Sequence, residues 1–277
     1  MSVHFSKMHG IGNDFVIVDW RDRPERIGAD LARRLADRRF GIGCDQLLSI
    51  EHASDPSCAF RYGIWNTDGS EAGQCGNGVR CVAAWLARAG LIGRGAVWLQ
   101  SPSGPVHCEL LDDGRVRVDM GSPRFDPEQI PLHAATMQSR YRVPLHEGYV
   151  DVAALSMGNP HAVLGVPDVD VADVAGLGAE IETHPLFPAR CNVGFMQVLT
   201  RDHIRLRVFE RGVGETLACG TGACAAAVSG MRSGALDRKV LVSLPGGALS
   251  IEWPDEQASV WMTGPTRFVF EGEWHDD

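Results

Sequence analysis

The chain has 277 residues, of which 44% are hydrophobic and 22% charged, and its formal net charge is −9. These values predict a folded chain long enough for two domains with separate cores, and they exclude a disordered chain. The negative balance, with no basic cluster beside aromatic residues, argues against a nucleic-acid-binding surface.

The beginning of the chain, MSVHFSKMHGIGNDF, has neither an apolar run of signal-peptide length nor a basic leader. No later segment reaches the length of a membrane span. We therefore expect a cytoplasmic protein that does not interact with a membrane.

Eight cysteines are present, and a cytosolic chain of this length is expected to keep them reduced. The sequence contains no C-x-x-C pair, and its cysteines have no histidines at ligand spacing. We therefore expect no metal site.

In the first half, alternating apolar residues and turn signals predict short strands with two helices. The predicted strands are 3–5, 15–18, 47–50, 60–65, 96–100, 105–111 and 115–120, and the predicted helices are 27–36 and 75–89. Residues 8–14, MHGIGND, are predicted to form a loop because Gly and Asn are typical turn residues.

A proline-rich segment, GSPRFDP at 121–127, is the predicted domain boundary. After it the pattern begins again, with predicted strands at 150–155, 162–166, 195–199, 204–209, 240–244, 249–253, 260–263 and 267–270, and helices at 170–182 and after Cys219. We expect an α+β fold of two pseudo-symmetric domains, each a curled mixed β-sheet or barrel around a central helix. The expected domains are 1–119, completed by a C-terminal strand at 265–277, and 120–264.

A cysteine turn occurs twice, as CGNG beginning at Cys75 and as CGTG beginning at Cys219. Each turn precedes a helix rich in small apolar residues, and the two cysteines lie 144 residues apart. Asn66 and Glu210, which precede the turns, have the same offset. The repeat predicts a duplicated architecture.

Each cysteine is thereby placed at a helix N-terminus, where the helix dipole favours a thiolate and the backbone N–H groups bind anions. A thiol from each half suggests a single site with Cys75 and Cys219 on either side of a substrate. That arrangement suits removal of a proton from one face and its return to the other. A cysteine hydrolase needs only one thiol and a histidine, so it leaves the second thiol unexplained.

Polar residues at strand ends and turns surround the two cysteine turns. They are Asn13, Gln46, Asn66, Asn77, Asn159, Asn192, Glu210 and Arg211. The amides, the carboxylate and the guanidinium together suit a zwitterionic amino acid. Lys7 and Lys239 are the only lysines and neither lies in an evident cofactor loop, so we expect no pyridoxal cofactor and no other cofactor.

The motifs HGIGNDF, GIGCDQ, NTDGSEAGQCGNGVRC, MGNPH, RCNVGF and ERGVGETLACGTGAC, in this order, resemble those of the diaminopimelate epimerases. The resemblance implies a pyridoxal-independent epimerase that interconverts LL- and meso-diaminopimelate in lysine and peptidoglycan precursor synthesis, and it implies a homodimer. It also implies that Cys75 and Cys219 are the catalytic base and acid, with His161 and Glu210 setting thiol protonation. The substrate-binding residues it implies are Asn13, Gln46, Asn66, Gly76, Asn77, Asn159, Asn192, Glu210, Arg211, Gly220 and Thr221.

Two other functions fit some of these residues. Proline racemases and hydroxyproline epimerases share the two-cysteine plan, although Glu210, Arg211 and the asparagines match the diaminopimelate pattern. Phenazine-pathway isomerases of the same fold lack the cysteine pair. A thiol redox sensor explains two facing cysteines, but it leaves the Glu-Arg pair and the amides without a purpose.

Overall fold

The computed structural model of the chain describes residues 2–73 and 75–276. Over these residues the strands are β1 (Ser2–Gly10), β2 (Asn13–Asp19), β3 (Gln46–Glu51), β4 (Phe60–Asn66), β5 (Gly95–Ser101), β6 (Gly104–Leu110), β7 (Val116–Asp119), β8 (Tyr141–Pro144), β9 (Tyr149–Ser156), β10 (Pro160–Gly165), β11 (Asn192–Thr200), β12 (His203–Glu210), β13 (Gly214–Thr216), β14 (Lys239–Leu244), β15 (Gly247–Glu252), β16 (Trp261–Gly264) and β17 (Arg267–His275). The α-helices of the same residues are α1 (Ala29–Ala36), α2 (Gly76–Arg88), α3 (Val174–Glu182) and α4 (Gly220–Arg232), and a 3-10 turn occupies Pro127–Gln129. None of these described helices is both long and apolar enough to span a membrane.

The chain divides into two compact units. Unit 1 consists of Met1–Asp119 and Thr263–Asp277, and unit 2 consists of Met120–Met262. The C-terminal strand β17 therefore belongs to unit 1, where it pairs antiparallel with β1.

Unit 1 is a mixed sheet in the order β17-β1-β2-β3-β4-β5-β6-β7, and it remains open over the described residues. The β2–β3 and β4–β5 pairs are parallel, and the others are antiparallel. Helix α2 packs against β1, β2 and β3 and also against β6 and β7. Because strands from distant parts of the series contact one helix, the sheet curls around α2, nine of whose thirteen residues are buried.

Unit 2 repeats this plan with strands β8-β9-β10-β11-β12-β14-β15, and β13 pairs beside β12. The β10–β11 and β12–β14 pairs are parallel. Helix α4 packs against β9, β10, β11, β12, β14 and β15, and ten of its thirteen residues are buried. A helix that is apolar on nearly all faces must be enclosed by other elements. The helices α2 and α4 are each enclosed in this way by the sheet of their own unit.

Registers within the two units correspond residue by residue. In unit 1, β2 aligns Phe15 with Gln46, and β3 aligns Gln46 with Asn66. In unit 2, β10 aligns His161 with Asn192 in the matching parallel pair. The pseudo-symmetric fold predicted from the repeated cysteine turn is therefore confirmed.

The segment before each central helix also has the same pairing in both units. Trp65 forms a bridge with Glu71 in unit 1, and Phe209 pairs with Glu215 in unit 2. Each pairing turns the chain back along its strand just before the cysteine. The strand end and the helix N-terminus are therefore brought together in each unit.

Helices α1 and α3 cover the sheets from outside. Helix α1 buries Ala32, Leu35 and Ala36 in a core cluster that includes Trp65 of β4. The cluster under α3 includes Ile181 and strand residues of β9, β10 and β11. Burial of such side chains stabilises each unit by roughly 1.5–3 kcal/mol per large residue.

Residues 8–14 form a tighter connection than the loop expected from the sequence. Strand β1 continues to Gly10 and β2 begins at Asn13, so only Ile11 and Gly12 form the turn. Both residues have positive φ, at 47° and 92°. This is the combination that a two-residue hairpin requires to match the strand twist, and it places Asn13 directly after the turn, opposite Gly10.

Candidate functional site

Cys75 is the N-cap residue of α2, and its Sγ accepts a hydrogen bond from the Gly78 N–H at 3.4 Å. Its thiol donates to Oδ1 of Asn13 at 3.7 Å. Nδ2 of Asn77 donates to the same oxygen at 3.3 Å. The half-buried thiol therefore lies between the end of the β1–β2 hairpin and the first turn of the helix.

The amides of Gln46 and Asn66 lie on neighbouring strands of unit 1. Nε2 of Gln46 donates to Oδ1 of Asn66 at 3.0 Å, and Nδ2 of Asn66 donates to Oγ of Ser70 at 3.0 Å. The β3–β4 register places the two residues opposite each other at the strand ends. Each amide is thus held in one orientation by a neighbour, as a recognition site requires.

Cys219 is the N-cap residue of α4 and is buried. Its Sγ lies 3.7 Å from Oγ1 of Thr221. Burial raises the pKa of the Cys219 thiol well above its usual value, and the nearby Glu210 carboxylate raises it further. The Gly222 N–H and the Thr221 hydroxyl act in the opposite direction without outweighing these effects, so this environment favours the protonated thiol.

Asn159 and His161 lie at the start of β10. Nε2 of His161 is 3.0 Å from Oδ1 of Asn159, and Nδ2 of Asn159 donates to Oγ1 of Thr221 at 3.3 Å. Burial lowers the pKa of His161 to about 3, with a smaller contribution from the Arg211 charge. The imidazole is therefore neutral at neutral pH and linked through one amide to the first turn of α4.

Glu210 is the last residue of β12, and Arg211 begins the turn that follows. Oδ1 of buried Asn192 accepts a hydrogen bond from the Arg211 backbone N–H at 3.1 Å, and Nδ2 of Asn192 donates to the Pro160 carbonyl at 3.1 Å. The Thr216 hydroxyl donates to Oε1 of Glu210 at 2.5 Å. Asn192 therefore fixes the backbone of the turn, and Thr216 orients the Glu210 carboxylate.

Two residues that sequence reasoning missed also hold this turn. The Glu182 carboxylate accepts from the Gly212 N–H at 2.9 Å and lies 3.4 Å from Nη1 of Arg190. Thr216 is the second, through its bond to Glu210. The Glu182 contact joins residues 30 positions apart and depends on tertiary placement. The Thr216 contact is local across the β12–β13 pair, so a hairpin predicted there could have identified it.

Ile11 and Arg190 are the non-glycine residues with positive φ in the described part of the chain, at 47° and 56°. Each stands two positions before a candidate substrate-binding residue, Asn13 or Asn192. A positive φ is costly for a β-branched residue such as Ile11. Strained backbone conformations of this kind cluster at functional sites, where the surrounding structure holds them in place.

The predicted site residues thus form one group in each unit. The group in unit 1 consists of Asn13, Gln46, Asn66, Cys75, Gly76 and Asn77, and the group in unit 2 consists of Asn159, His161, Asn192, Glu210, Arg211, Cys219, Gly220 and Thr221. In each group a cysteine at a helix N-terminus lies beside amides that strands present. The first N–H groups of α2 and α4 precede the first intrahelical bonds, from Val79 to Cys75 and from Ala223 to Cys219.

Solved structures with this fold include a hydroxyproline epimerase from Agrobacterium vitis with bound trans-4-hydroxy-L-proline. It has a TM-score of 0.70 at 16% identity and covers 98% of this chain and 92% of that one. A phenazine biosynthesis protein of the PhzF family from Bacillus anthracis has a TM-score of 0.71 at 14% identity, covering 100% of both chains. At these identities the likeness establishes the fold alone.

The sequence comparisons are more specific. A family model described as diaminopimelate epimerase matches residues 5–125 and 153–269. A diaminopimelate epimerase of Thioalkalivibrio sulfidiphilus is 53% identical over 274 residues, covering 98% of this chain and 99% of the relative. One from Acinetobacter baumannii is 51% identical over 273 residues, covering 98% of this chain and 97% of the relative. The chain belongs to the diaminopimelate epimerase family.

Proposed function

We propose that this protein is an amino-acid epimerase that interconverts LL-2,6-diaminopimelate and meso-diaminopimelate. The observation that carries the proposal is the pair of cysteines, Cys75 and Cys219, at the N-caps of topologically equivalent helices. Inversion at one carbon needs a base on one face and an acid on the other. A duplicated fold that carries one thiol per half supplies both groups.

In the proposed reaction, the thiolate of one cysteine removes the proton from the α-carbon. The C–H bond breaks, an S–H bond forms, and the electron pair is delocalised into the α-carboxylate. The thiol of the other cysteine then donates its proton to the opposite face. No electrons are exchanged with a redox partner, and the thiol and thiolate have exchanged identities when inversion is complete.

The developing negative charge needs hydrogen-bond donors that are already in position. We assign this role to the first-turn N–H groups of Gly76 and Asn77 in α2 and of Gly220 and Thr221 in α4. Donors preorganised in this way stabilise a transition-state oxyanion by several kcal/mol in other enzymes. The positive ends of the helix dipoles act in the same direction.

Recognition of the rest of the substrate is proposed for the polar groups of the two units. The Arg211 guanidinium suits a carboxylate and the Glu210 carboxylate suits an ammonium group. The amides proposed to complete the contacts are Asn13, Gln46, Asn66, Asn159 and Asn192. His161 is proposed to influence thiol protonation as a neutral group, since burial holds its pKa at about 3.

We also propose that the protein works as a cytoplasmic homodimer on a free amino acid, without a cofactor or metal. Support for the dimer and the compartment is the family relationship alone. Light scattering coupled to size-exclusion chromatography tests the dimer, since a monomer's mass of about 30 kDa would contradict it.

The decisive experiment follows deuterium from heavy water into a single epimer. With two bases, early turnover should place deuterium at the α-carbon of the new epimer, while recovered substrate stays largely unlabelled. Cys75→Ala and Cys219→Ala should each abolish net inversion. Rapid equal labelling of both epimers would indicate one exchanging base, and turnover of proline in place of diaminopimelate would contradict the assigned substrate.

A further inference from the structure

We propose that Asp45 is a positioning residue, which fixes the side-chain amide of Asn13 with its oxygen towards the thiol of Cys75. Asp45 belongs to the GIGCDQ motif and immediately precedes β3. The inference rests on the proposed role of Cys75 in proton transfer. It adds a residue that determines the protonation of that thiol.

The Asp45 carboxylate binds both the side chain and the backbone of the β1–β2 hairpin end. Its Oδ2 accepts from Nδ2 of Asn13 at 3.0 Å and from the Asp14 N–H at 3.0 Å. A carboxylate can only accept, so Asn13 must present its NH₂ group to Asp45. The amide oxygen then faces Cys75 and Asn77, which both donate to it.

The reversed amide is disfavoured on both sides. It would place a carbonyl oxygen against the Asp45 carboxylate, and it would place the NH₂ of Asn13 against the NH₂ of Asn77. With Asp45 in place, the atom that meets Cys75 is therefore an acceptor. An acceptor stabilises the protonated thiol relative to the thiolate, which needs donors.

The carboxylate is itself held by a cluster of charges. Nη2 of Arg38 lies 2.7 Å from Oδ1 of Asp45 and 2.6 Å from Oδ1 of Asp14. Lys7 donates to Asp14 and to the Gly43 carbonyl. Burial alone would raise the pKa of Asp14, but the bonds from Arg38 and Lys7 outweigh it and hold that pKa well below its usual range.

Unit 2 lacks the equivalent of this restraint. The position that corresponds to Asp45 in the parallel strand pair is Cys191, which is buried beside a carbonyl. The equivalent amide, Asn159, turns its oxygen to His161 instead. Among the described residues, only unit 1, which contains Cys75, therefore uses a carboxylate to orient this amide. The effect of Asp45 can for this reason be distinguished from features that both units share.

Other charges around Cys75 are shared by all variants of the test. The elements that pack against α2 are β1, β2, β3, β6 and β7. The charged or titratable residues on these elements, on α2 and on the adjoining strands are His4, Lys7, His9, Asp14, Asp19, Glu51, Arg61, Tyr62, Arg80, Cys81, Arg88, His107, Cys108, Glu109, Arg117, Asp119, Arg267, Glu271, Glu273 and His275. Among them, Glu51 pairs with Arg61, Glu109 with Arg117, and Glu271 with Arg88.

The test measures the rate of Cys75 alkylation by iodoacetamide against pH, read by peptide mass spectrometry, which requires no turnover. Asp45→Ala should lower the apparent pKa of Cys75 by about half a unit or more, because it removes the acceptor that holds Nδ2 of Asn13 and the freed amide can donate to the sulfur. In an Asn13→Ala background, Asp45→Ala should shift that pKa much less. Asp113→Ala, which removes a comparable carboxylate from an exposed turn pair with Arg115, should leave the pKa unchanged.

An unchanged pKa in Asp45→Ala would overturn the proposal. An equal shift with and without Asn13 would also overturn it, since that result denotes a plain charge effect. If Asp45→Ala fails to fold, as judged by circular dichroism, Asp45→Ser carries the same expectation because its hydroxyl can donate to Asn13. These outcomes are independent of whether the protein epimerises diaminopimelate.

Discussion

His161 and Asn159 form a hydrogen bond of 3.0 Å between Nε2 and Oδ1, and Nδ2 of the same amide donates to Oγ1 of Thr221. With the amide in this orientation its oxygen accepts, so the tautomer that completes the bond carries the proton on Nε2. Because the ring is fully buried, a second proton would place a charge where water cannot solvate it. The pKa of His161 is accordingly lowered to about 3.

This lowered pKa predicts a loss of stability in mild acid. The unfolded chain binds the proton below a pKa of about 6.5, whereas the folded chain resists it down to about 3. The stabilisation that comes from keeping His161 neutral is therefore complete above pH 6.5. Below that value, each pH unit of acidification lowers the free energy of unfolding by about 1.4 kcal/mol. From pH 7.5 to pH 5, the free energy of unfolding measured with urea should fall by about 2 kcal/mol because of this residue.

His161→Gln keeps a donor for Asn159 but cannot titrate. Its unfolding free energy should depend less on pH between 7.5 and 5, by about the same 2 kcal/mol. An identical pH dependence in the variant and the wild type would show that His161 is not the group responsible.

Much of this fold could be predicted because its signals are local. Alternating apolar residues predict the strands around α2 and α4, and the repeated C-G-x-G turn predicts the N-cap positions of Cys75 and Cys219. Strand β8 was missed although its buried pattern alternates at Tyr141 and Val143. It has only four residues and ends in proline, which lowers the strand signal.

Long-range pairing could not be predicted in the same way. Strand β17 runs from Arg267 to His275, inside the C-terminal strand expected at 265–277, but the apolar pattern indicates a strand only over 267–270 because much of β17 is exposed. Its partner β1 lies at the opposite end of the sequence and supplies the backbone bonds. The contacts of Glu182 with Gly212 and of Asp45 with Asn13 have the same origin, since no spacing rule relates the partners.

Asn192→Ala should lower kcat/KM by the equivalent of roughly 2–4 kcal/mol. It removes the two hydrogen bonds of a buried amide, one from the Arg211 backbone N–H and one to the Pro160 carbonyl. Arg211→Ala should lower kcat/KM by a similar amount, with an increase in KM. Arg205→Ala, on the strand β12 that precedes the turn, breaks contacts with Asp168, Asp170 and Gln197 and should change kcat/KM by less than about 1 kcal/mol equivalent.

Both assays use diaminopimelate and a coupled measurement of initial rates. Normal kinetics in both Asn192→Ala and Arg211→Ala would refute the assignment of this turn to substrate recognition.

Gly41→Ala should destabilise unit 1 by about 3 kcal/mol, at the upper end of the range for overpacking. A Cβ at this position would lie 1.9 Å from the Arg34 carbonyl oxygen and 3.0 Å from that of Asp37, and these backbone atoms belong to α1 and its end. Gly93→Ala meets nothing within 4 Å and should change the stability by less than about 0.5 kcal/mol. Urea unfolding of both variants checks this, and equal stabilities would contradict the close approach at Gly41.

Cys75 should react with iodoacetamide about tenfold faster than Cys219 at pH 8. Cys75 is half-buried, whereas Cys219 is only 4% exposed and its pKa is raised by burial and by Glu210. The thiolate is the reactive form, so both exposure and charge favour Cys75. Peptide mass spectrometry at short times measures the two rates separately, and faster labelling of Cys219 would contradict this order.

Glu210→Gln should accelerate alkylation of Cys219, because removing the carboxylate charge lowers the pKa of the adjacent thiol. Burial is the larger cause of the raised pKa and is unchanged in the variant, so Cys219 should remain slower than Cys75. Glu215→Gln removes a carboxylate from the same segment that is paired with Arg207, and it should leave the Cys219 rate unchanged. If Glu210→Gln and Glu215→Gln have the same rate at Cys219, the Glu210 carboxylate does not control that thiol, and its proposed part in setting thiol protonation fails.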